Sequence, residues 1–315
     1  MLGLVVRRLL VAIPMLLITS VLIFGLVVLI PGDAAVTLAG GPDAPPGAVE
    51  EVREELQLDE PLPAQYLDWL GGVVRLDFGD SLYSHEPITD ELAERLPVTL
   101  GLAALVFGLA VPVALLVGVA GGLRPGSLLD RALMVGSGAF LAVPPFWIAL
   151  VLVTLFAVRL GWLPPFGYVE LRADPGEWFR RMIMPAAALA LGMAAVLARQ
   201  VRGGLADVMQ APYIRTAWAK GGSTRQVVVG HALKGSAMPA VTVLGLQVGV
   251  VLGSSVIIER IFTIPGLGTY LLEAVNAQDL PVVQGVALVF VVIHVVTSLL
   301  VDIAYGWLNP KVRAA

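Results

Sequence analysis

The residues that most often perform chemistry in proteins are few and widely separated in this 315-residue sequence. Its three histidines, His85, His231 and His294, are too far apart to suggest a zinc site. The sequence contains no cysteine, which excludes disulfides, thiolate metal ligands and a cysteine nucleophile. We therefore expect no catalytic residue, no metal and no bound cofactor, and we predict that the chain is not an enzyme.

Nucleotide chemistry is not indicated either. A phosphate-binding loop of the form G-x-x-x-x-G-K-[ST] surrounds phosphates with backbone N–H groups. The nearest string here is Lys220-Gly221-Gly222-Ser223-Thr224, which has a similar composition in the wrong order. No basic run with interleaved aromatic residues suggests binding to nucleic acid. No motif in the sequence therefore indicates that this chain itself binds or hydrolyses ATP.

Polar side chains are rare within the long apolar stretches of the sequence. Gln247 and His294 are the main candidates for a substrate path, although each could instead join two helices by a hydrogen bond. Gly245, Gly249 and Gly253 recur at every fourth residue, which predicts one helix face that packs closely against a neighbour.

Uncharged blocks indicate a membrane protein. The sequence is 57% hydrophobic and only 14% charged, whereas soluble proteins carry about 25% charged residues. About 20 helical residues cross the hydrocarbon core of a bilayer, and six blocks approach or exceed that length. We predict an all-α integral membrane protein with six transmembrane helices. The blocks are Leu9–Pro31, Pro97–Leu123, Ala132–Val158, Met182–Ala198, Gly235–Ile258 and Leu280–Val301.

The first block raises the question of a cleaved signal peptide. It follows Arg7 and Arg8, as the apolar region of a signal peptide would. Its apolar stretch is longer than the 7–15 residues typical of such a region, so we predict that it is retained as a helix.

The distribution of Lys and Arg predicts the orientation. Gly32–Leu96 has fifteen acidic residues and three arginines, so we expect it outside and both termini in the cytoplasm. We divide the chain into a first span at 1–31, an outer loop at 32–96, a membrane core at 97–308 and a tail at 309–315. The twelve basic residues then predicted to be cytoplasmic are Arg7, Arg8, Arg124, Arg131, Arg199, Arg202, Arg215, Lys220, Arg225, Lys234, Lys311 and Arg313.

Two loops have features of their own. Val49, Val52 and Leu56 have helical spacing beside acidic residues, which predicts a short amphipathic helix in the outer loop. On the inner side, Arg199–Lys234 is far longer than an ordinary connection. It is either a contact element for a partner or an interfacial helix attracted to anionic membrane lipid.

The string YIRTAWAKGGSTRQVVVGHALKGSAMPAV, from Tyr213 to Val241, resembles a known loop. It is similar to the conserved cytoplasmic loop of permease subunits of bacterial ABC importers, in the dipeptide, oligopeptide and nickel group. The core of that loop is an alanine followed four residues later by a glycine, here Ala217 and Gly221. Gly222 stands where an apolar residue is expected. Further strings that resemble the group are RLPVTL (Arg95 to Leu100), IERIFTIPGLG (Ile258 to Gly268), DLPVVQG (Asp279 to Gly285) and LVDIAYGWLNPKVR (Leu300 to Arg313).

The resemblance implies a type I ABC importer permease fold in the bacterial cytoplasmic membrane, with a coupling loop at 199–235. It also implies a second homologous permease, two ABC ATPase subunits that bind ATP and magnesium, and an extracytoplasmic substrate-binding protein. The implied ATPase-coupling residues are Arg215, Thr216, Ala217, Ala219, Lys220 and Gly221.

The implied substrate is a di- or oligopeptide. A permease for nickel chelates or another small solute is the nearest alternative. An ion-driven secondary transporter and a non-transporting membrane scaffold are alternatives of other classes.

Overall fold

The computed structural model describes residues 2–25, 35–36, 39, 45–55 and 60–308, and the regular elements in these ranges are helices. The predicted all-α class is confirmed. π-Helical segments occur at Val153–Arg159 and at Val228–Ala232. The helices are α1 (Leu2–Phe24), α2 (Ala48–Glu55), α3 (Leu62–Val74), α4 (Ile88–Gly122), α5 (Leu128–Ala142), α6 (Pro145–Arg159), α7 (Pro175–Val208), α8 (Pro212–Ala219), α9 (Thr224–Phe262), α10 (Leu267–Ala277) and α11 (Leu280–Leu308).

Close packing of α4 against α7 forms the centre of the bundle. α7 presents a row of buried alanines at four-residue spacing, Ala186, Ala190, Ala194 and Ala198, which lets a neighbouring backbone approach closely. α9 packs on α7, α11 packs on α9, and α1 packs on α11. The core therefore depends on small side chains on one central helix.

Four helices, α4, α7, α9 and α11, are long and apolar enough to cross a membrane, and a fifth span results if α5 and α6 together form one. The apolar part of α1, Arg8–Phe24, is shorter, and the predicted first span continues to Pro31, outside the described residues. α7 extends well past both ends of the predicted block Met182–Ala198.

The third predicted span is broken, which corrects the expectation of one helix over Ala132–Val158. α5 and α6 meet at an angle of 98°. Val143 adopts an extended conformation before Pro144 and Pro145. Proline lacks an N–H donor and disfavours a helical conformation in the residue before it, so two consecutive prolines favour a break at this point. The uncharged composition of the block conceals the break.

The amphipathic helix predicted in the outer loop is present as α2. It begins at Ala48 and ends at Glu55, and Leu56 lies outside the described residues.

The bundle has two distinct ends, named here after the short helices that mark them. α8 lies between α7 and α9, and α10 lies between α9 and α11. At the α10 end, the Gly167 N–H donates to the Phe262 carbonyl oxygen at 2.9 Å, and the Ser81 hydroxyl donates to the buried Asp279. The segments before α4 and after α6 therefore meet the bundle at the α10 end.

Substituting Gly118 by alanine tests the packing of α4 against α7. A Cβ at Gly118 would lie 2.7 Å from the Val201 Cβ, closer than carbon atoms approach. Overpacking of this kind costs about 1–3 kcal/mol, so we expect Gly118→Ala to lower the thermal unfolding midpoint in detergent. A Cβ at Gly108 on the same helix would meet no described atom within 4 Å, so Gly108→Ala is the matched control. Equal midpoints for the two variants would contradict this packing.

Candidate functional site

α8 is a short helix clamped between two long ones. Pro212 occupies its first turn, where a missing N–H is tolerated. Ile214 is completely buried and packs with Leu205 and Val227, which belong to α7 and α9. Through Ile214, α8 is therefore packed against the ends of both long helices.

The turn after α8 requires two glycines for different reasons. Gly221 has a φ of +81°, which L-residues with a side chain rarely adopt. A Cβ at Gly222 would lie 3.1 Å from both the Ala217 carbonyl oxygen and the Val227 Cγ2. The glycine at 222, where an apolar residue is expected, is thus explained by close contact with α8. Ser223 then caps α9, with its hydroxyl accepting from the Gln226 N–H.

The outward face of α8 carries the residues that the sequence singles out. Ala217 is half-buried against the cluster around Ile214. Tyr213 and Trp218, which the sequence analysis did not select, are exposed on α8. Because both lie on the same short helix as the selected residues, this position could have indicated them from the sequence. The remaining members of the predicted set, Arg215, Thr216, Ala219, Lys220 and Gly221, are all exposed.

A groove of about 810 Å³ runs beside α8. Lys220, Arg225 and His231 line it, and none of the described lining residues is acidic. A partner surface with acidic groups would be electrostatically complementary to it.

An ion pair joins α5 to α7 at this end. Asp130 is almost fully buried and accepts from the Arg202 Nε at 3.0 Å and from its Nη2 at 2.6 Å. The Gly126 N–H also donates to Asp130, at 2.8 Å. A Cβ at Gly121 would lie 2.9 Å from the Asp130 Oδ1. Sequence reasoning counted Arg202 only as a cytoplasmic charge and did not pair it with Asp130, because their contact depends on how α5 and α7 pack.

The polar residues predicted within the spans lie on α9 and α11. Gln247 is buried on α9, and His294 is half-buried on α11. A Cβ at Gly249 would lie 3.3 Å from the His294 Nδ1, an atom without a hydrogen-bond partner among the described residues.

The glycine face of α9 contacts α11 over part of its predicted length. A Cβ at Gly245 would lie 2.9 Å from the Val301 Cγ2, and Gly249 approaches His294. Gly253 is exposed, and a Cβ there would meet no described atom within 4 Å. Within the described chain, close packing therefore involves Gly245 and Gly249 and does not include Gly253.

A cleft of about 550 Å³ opens at the α10 end. Its charged lining is mixed, with Glu91, Glu94 and Glu170 beside Arg95 and Arg172. Arg95 forms an ion pair with Glu91 at 2.6 Å, and its guanidinium lies 4.6 Å from the centre of the Tyr270 ring.

Tyr270 itself is shielded from water at this point. Burial raises the pKa of the Tyr270 phenol to about 12. The face of the Tyr270 ring interacts with the Arg95 guanidinium.

Comparison with known families gives matches along most of the chain. Residues 110–314 match the family described as binding-protein-dependent transport system inner membrane component. Residues 1–103 match the family described as the N-terminal part of a binding-protein-dependent transport system membrane component.

Curated relatives are similar over nearly their whole length. A putative peptide transport system permease protein of Brucella abortus (strain 2308) is 41% identical over 313 residues, covering 99% of both chains. The glutathione transport system permease protein GsiC of Escherichia coli (strain K12) is 38% identical over 319 residues, again covering 99% of both. A probable peptide ABC transporter permease protein of Sinorhizobium fredii is 36% identical over 309 residues, covering 98% of both.

One solved structure shares the fold. A chain of the methionine ABC transporter MetNI, in an inward-facing conformation, superimposes with a TM-score of 0.57 at 18% sequence identity. The match covers 71% of this chain and 99% of the other.

The contact between Asp130 and Arg202 is testable by a double-mutant cycle. Asp130→Asn removes the charge that faces Arg202, so we expect a lower thermal unfolding midpoint. Asp207→Asn, at an exposed acid near the same end of α7, is the matched control and should have little effect. With Arg202→Met already present, Asp130→Asn should cause a smaller further loss. Additive effects of the two substitutions would contradict the ion pair.

Proposed function

The chain belongs to the family of binding-protein-dependent transport system inner membrane components, and from this premise we propose that it is the permease subunit of an ATP-driven importer of di- or oligopeptides. As a member of this family, it is a multi-pass protein of the cytoplasmic membrane and a transport component rather than an enzyme. The substrate class is supported by relatives named for peptides and for glutathione, which is itself a tripeptide.

The observation that carries the proposal is the placement of α8. Most of its residues are exposed, and Arg215 together with the following Lys220 makes its surface basic. Its buried Ile214 packs against both long helices, α7 and α9. We assign Arg215, Thr216, Ala217, Ala219, Lys220 and Gly221 to contact with an ABC ATPase subunit, with the aromatic side chains of Tyr213 and Trp218 beside them. Small residues permit close docking, and basic residues attract an acidic partner surface.

The proposed assembly contains this chain, a second homologous permease, two ATPases that bind ATP and magnesium, and an extracytoplasmic binding protein. The α8 end faces the cytoplasm because basic residues concentrate in its segments, and both termini lie on that side. Arg8 and Asp302 support this arrangement, since their 2.9 Å ion pair joins the starting end of α1 to the finishing end of α11. Exposed apolar side chains such as Leu116, Leu246 and Leu300 would contact lipid or the second permease.

Transport would proceed by alternating access between two states. ATP binding would draw the ATPases together and shift α8, and with it the ends of α7 and α9. The cleft at the α10 end, with carboxyl and guanidinium groups together, would receive a peptide that carries both charges. Gln247 and His294 are proposed as polar contacts further along the path.

The decisive experiment is reconstitution of the full complex in liposomes. With ATP inside and binding protein outside, we expect uptake of a labelled dipeptide and none without ATP. Uptake of nickel but not peptide would assign another substrate. Uptake driven by an ion gradient, with this chain alone and no ATPase, would overturn the proposal.

Substituting Gly221 by aspartate tests the coupling role. The new side chain would introduce an acid into the basic surface of α8, opposite a partner expected to be acidic. Like charges brought together at an interface cost several kcal/mol, so we expect peptide uptake to fall at least about tenfold. Membrane insertion should be unchanged, as judged by the amount of protein in isolated membranes.

Gly161→Asp is the matched control, because Gly161 also has a positive φ, +63°, in open surroundings at the other end of the bundle. Normal uptake by Gly221→Asp, or equal loss in both variants, would contradict the assignment of α8.

A further inference from the structure

Glu259 is a fully buried acidic residue near the end of α9. Its Oε1 accepts a hydrogen bond from the Thr99 hydroxyl at 2.9 Å, and its Oε2 accepts one from the Thr269 N–H at 3.1 Å. Thr99 belongs to α4 and Thr269 to α10, so one carboxyl group joins three helices. Acidic side chains are almost never fully buried without such partners, which indicates a specific role for this one.

The first turn of α10 depends on these two side chains. α10 begins after Gly266, which has no side chain that could accept from the free N–H groups of the helix. The Leu267 N–H donates instead to the Thr99 hydroxyl oxygen at 2.8 Å, and the Thr269 N–H donates to Glu259. The start of α10 is therefore capped by residues of α4 and α9.

The turn before α10 lies directly on the Glu259 carboxyl group. A Cβ at Gly266 would lie 2.5 Å from the Glu259 Oε2 and 2.6 Å from the Thr99 Oγ1. A Cβ at Gly268 would lie 2.6 Å from the Val256 Cα. Neither position has room for a side chain, so the two glycines permit the contact that Glu259 and Thr99 make.

α9 connects this junction to α8. It is one helix of 39 residues, and roughly 50 Å separate its start from Glu259. α10 packs through Leu267 and Ala274 against Ile88 on α4 and Val282 on α11. Pro265, in the turn before α10, lines the cleft at this end. A displacement of α9 therefore reaches the edge of the cleft through Glu259.

We infer that Glu259 is a positioning residue for transport. Together with Thr99 it holds the Pro265–Gly266 turn and the start of α10. A displacement of α8, transmitted through α9, therefore changes the access to the cleft. Glu259 acts through these neighbours and need not touch the substrate. The inference rests on the proposed function, because it describes how a displacement of α8 would affect the cleft at the opposite end of the bundle.

The test uses the complete complex with Glu259→Ala, Glu259→Gln and Thr99→Val. Thr99→Val keeps the shape of the side chain and removes both hydrogen bonds of the hydroxyl. Three quantities are measured: the amount of assembled complex, the rate of ATP hydrolysis with binding protein and peptide, and the uptake of peptide. We expect Glu259→Ala and Thr99→Val to keep ATP hydrolysis within about twofold of the parent and to lose at least tenfold in uptake, with Glu259→Gln intermediate.

A second measurement needs no substrate. Hydrogen exchange of the segment 264–272 should be about tenfold faster in both variants. Thr99→Val removes the acceptor of the Leu267 N–H, and Glu259→Ala removes the acceptor of the Thr269 N–H. Glu273→Gln is the matched control, because Glu273 lies exposed on α10. This variant should resemble the parent in every measurement.

The outcomes separate a positioning role from a structural one. If all three quantities fall in parallel, or if Glu259→Gln and Thr99→Val fail to assemble together with Glu259→Ala, Glu259 only stabilises the fold and the inference is overturned. Parent-like uptake and exchange in Thr99→Val would also overturn it. Failure of the parent complex to take up peptide counts against the proposed function instead, and the exchange measurement still decides whether Glu259 and Thr99 hold α10.

Discussion

Close approach of α4 and α7 through small residues is the contact on which the rest of this bundle depends. Lipid is as apolar as the side chains, so burial of apolar surface does not by itself drive helices together in a membrane. Close packing must supply the attraction, and the buried alanine row of α7 and glycines such as Gly118 and Gly122 allow it. Because α7 continues directly to α8, the packing that stabilises the core also sets where the exposed helix lies.

Features that depend only on local sequence were predictable. Uncharged runs predicted the helices that can span a membrane, because that signal requires only length and composition. Gly221 permits the turn after α8, because glycine adopts a positive φ without steric strain. The resemblance in Tyr213–Val241 located the candidate coupling helix, although the coupling residues that it implied did not include the exposed Trp218.

Features that depend on contacts between distant segments were not predictable. Asp130 and Arg202 are 72 residues apart, and Thr99 and Glu259 are 160 apart, so neither pair leaves a local pattern. The three glycines of α9 illustrate the same limit. Their spacing fixes a shared face, but only the path of α11 decides that Gly245 and Gly249 are covered while Gly253 is open. The bend between α5 and α6 is different, because Pro144 and Pro145 are visible in the sequence and were outweighed there by the lack of charge.

The buried polar contacts between helices add a directional constraint to the register that close packing allows. Dispersion between smooth apolar faces is non-directional, so helices packed on alanine and glycine could slide at little energetic cost. Hydrogen bonds are directional, and an unpaired buried partner is expensive, so each polar contact permits only one relative placement. Asp130 with Arg202 fixes α5 on α7 at the α8 end, and Glu259 with Thr99 fixes α9 on α4 at the α10 end. Under the proposed function, helices joined at these points would move as linked rigid bodies and would carry a displacement of α8 to the cleft at the α10 end.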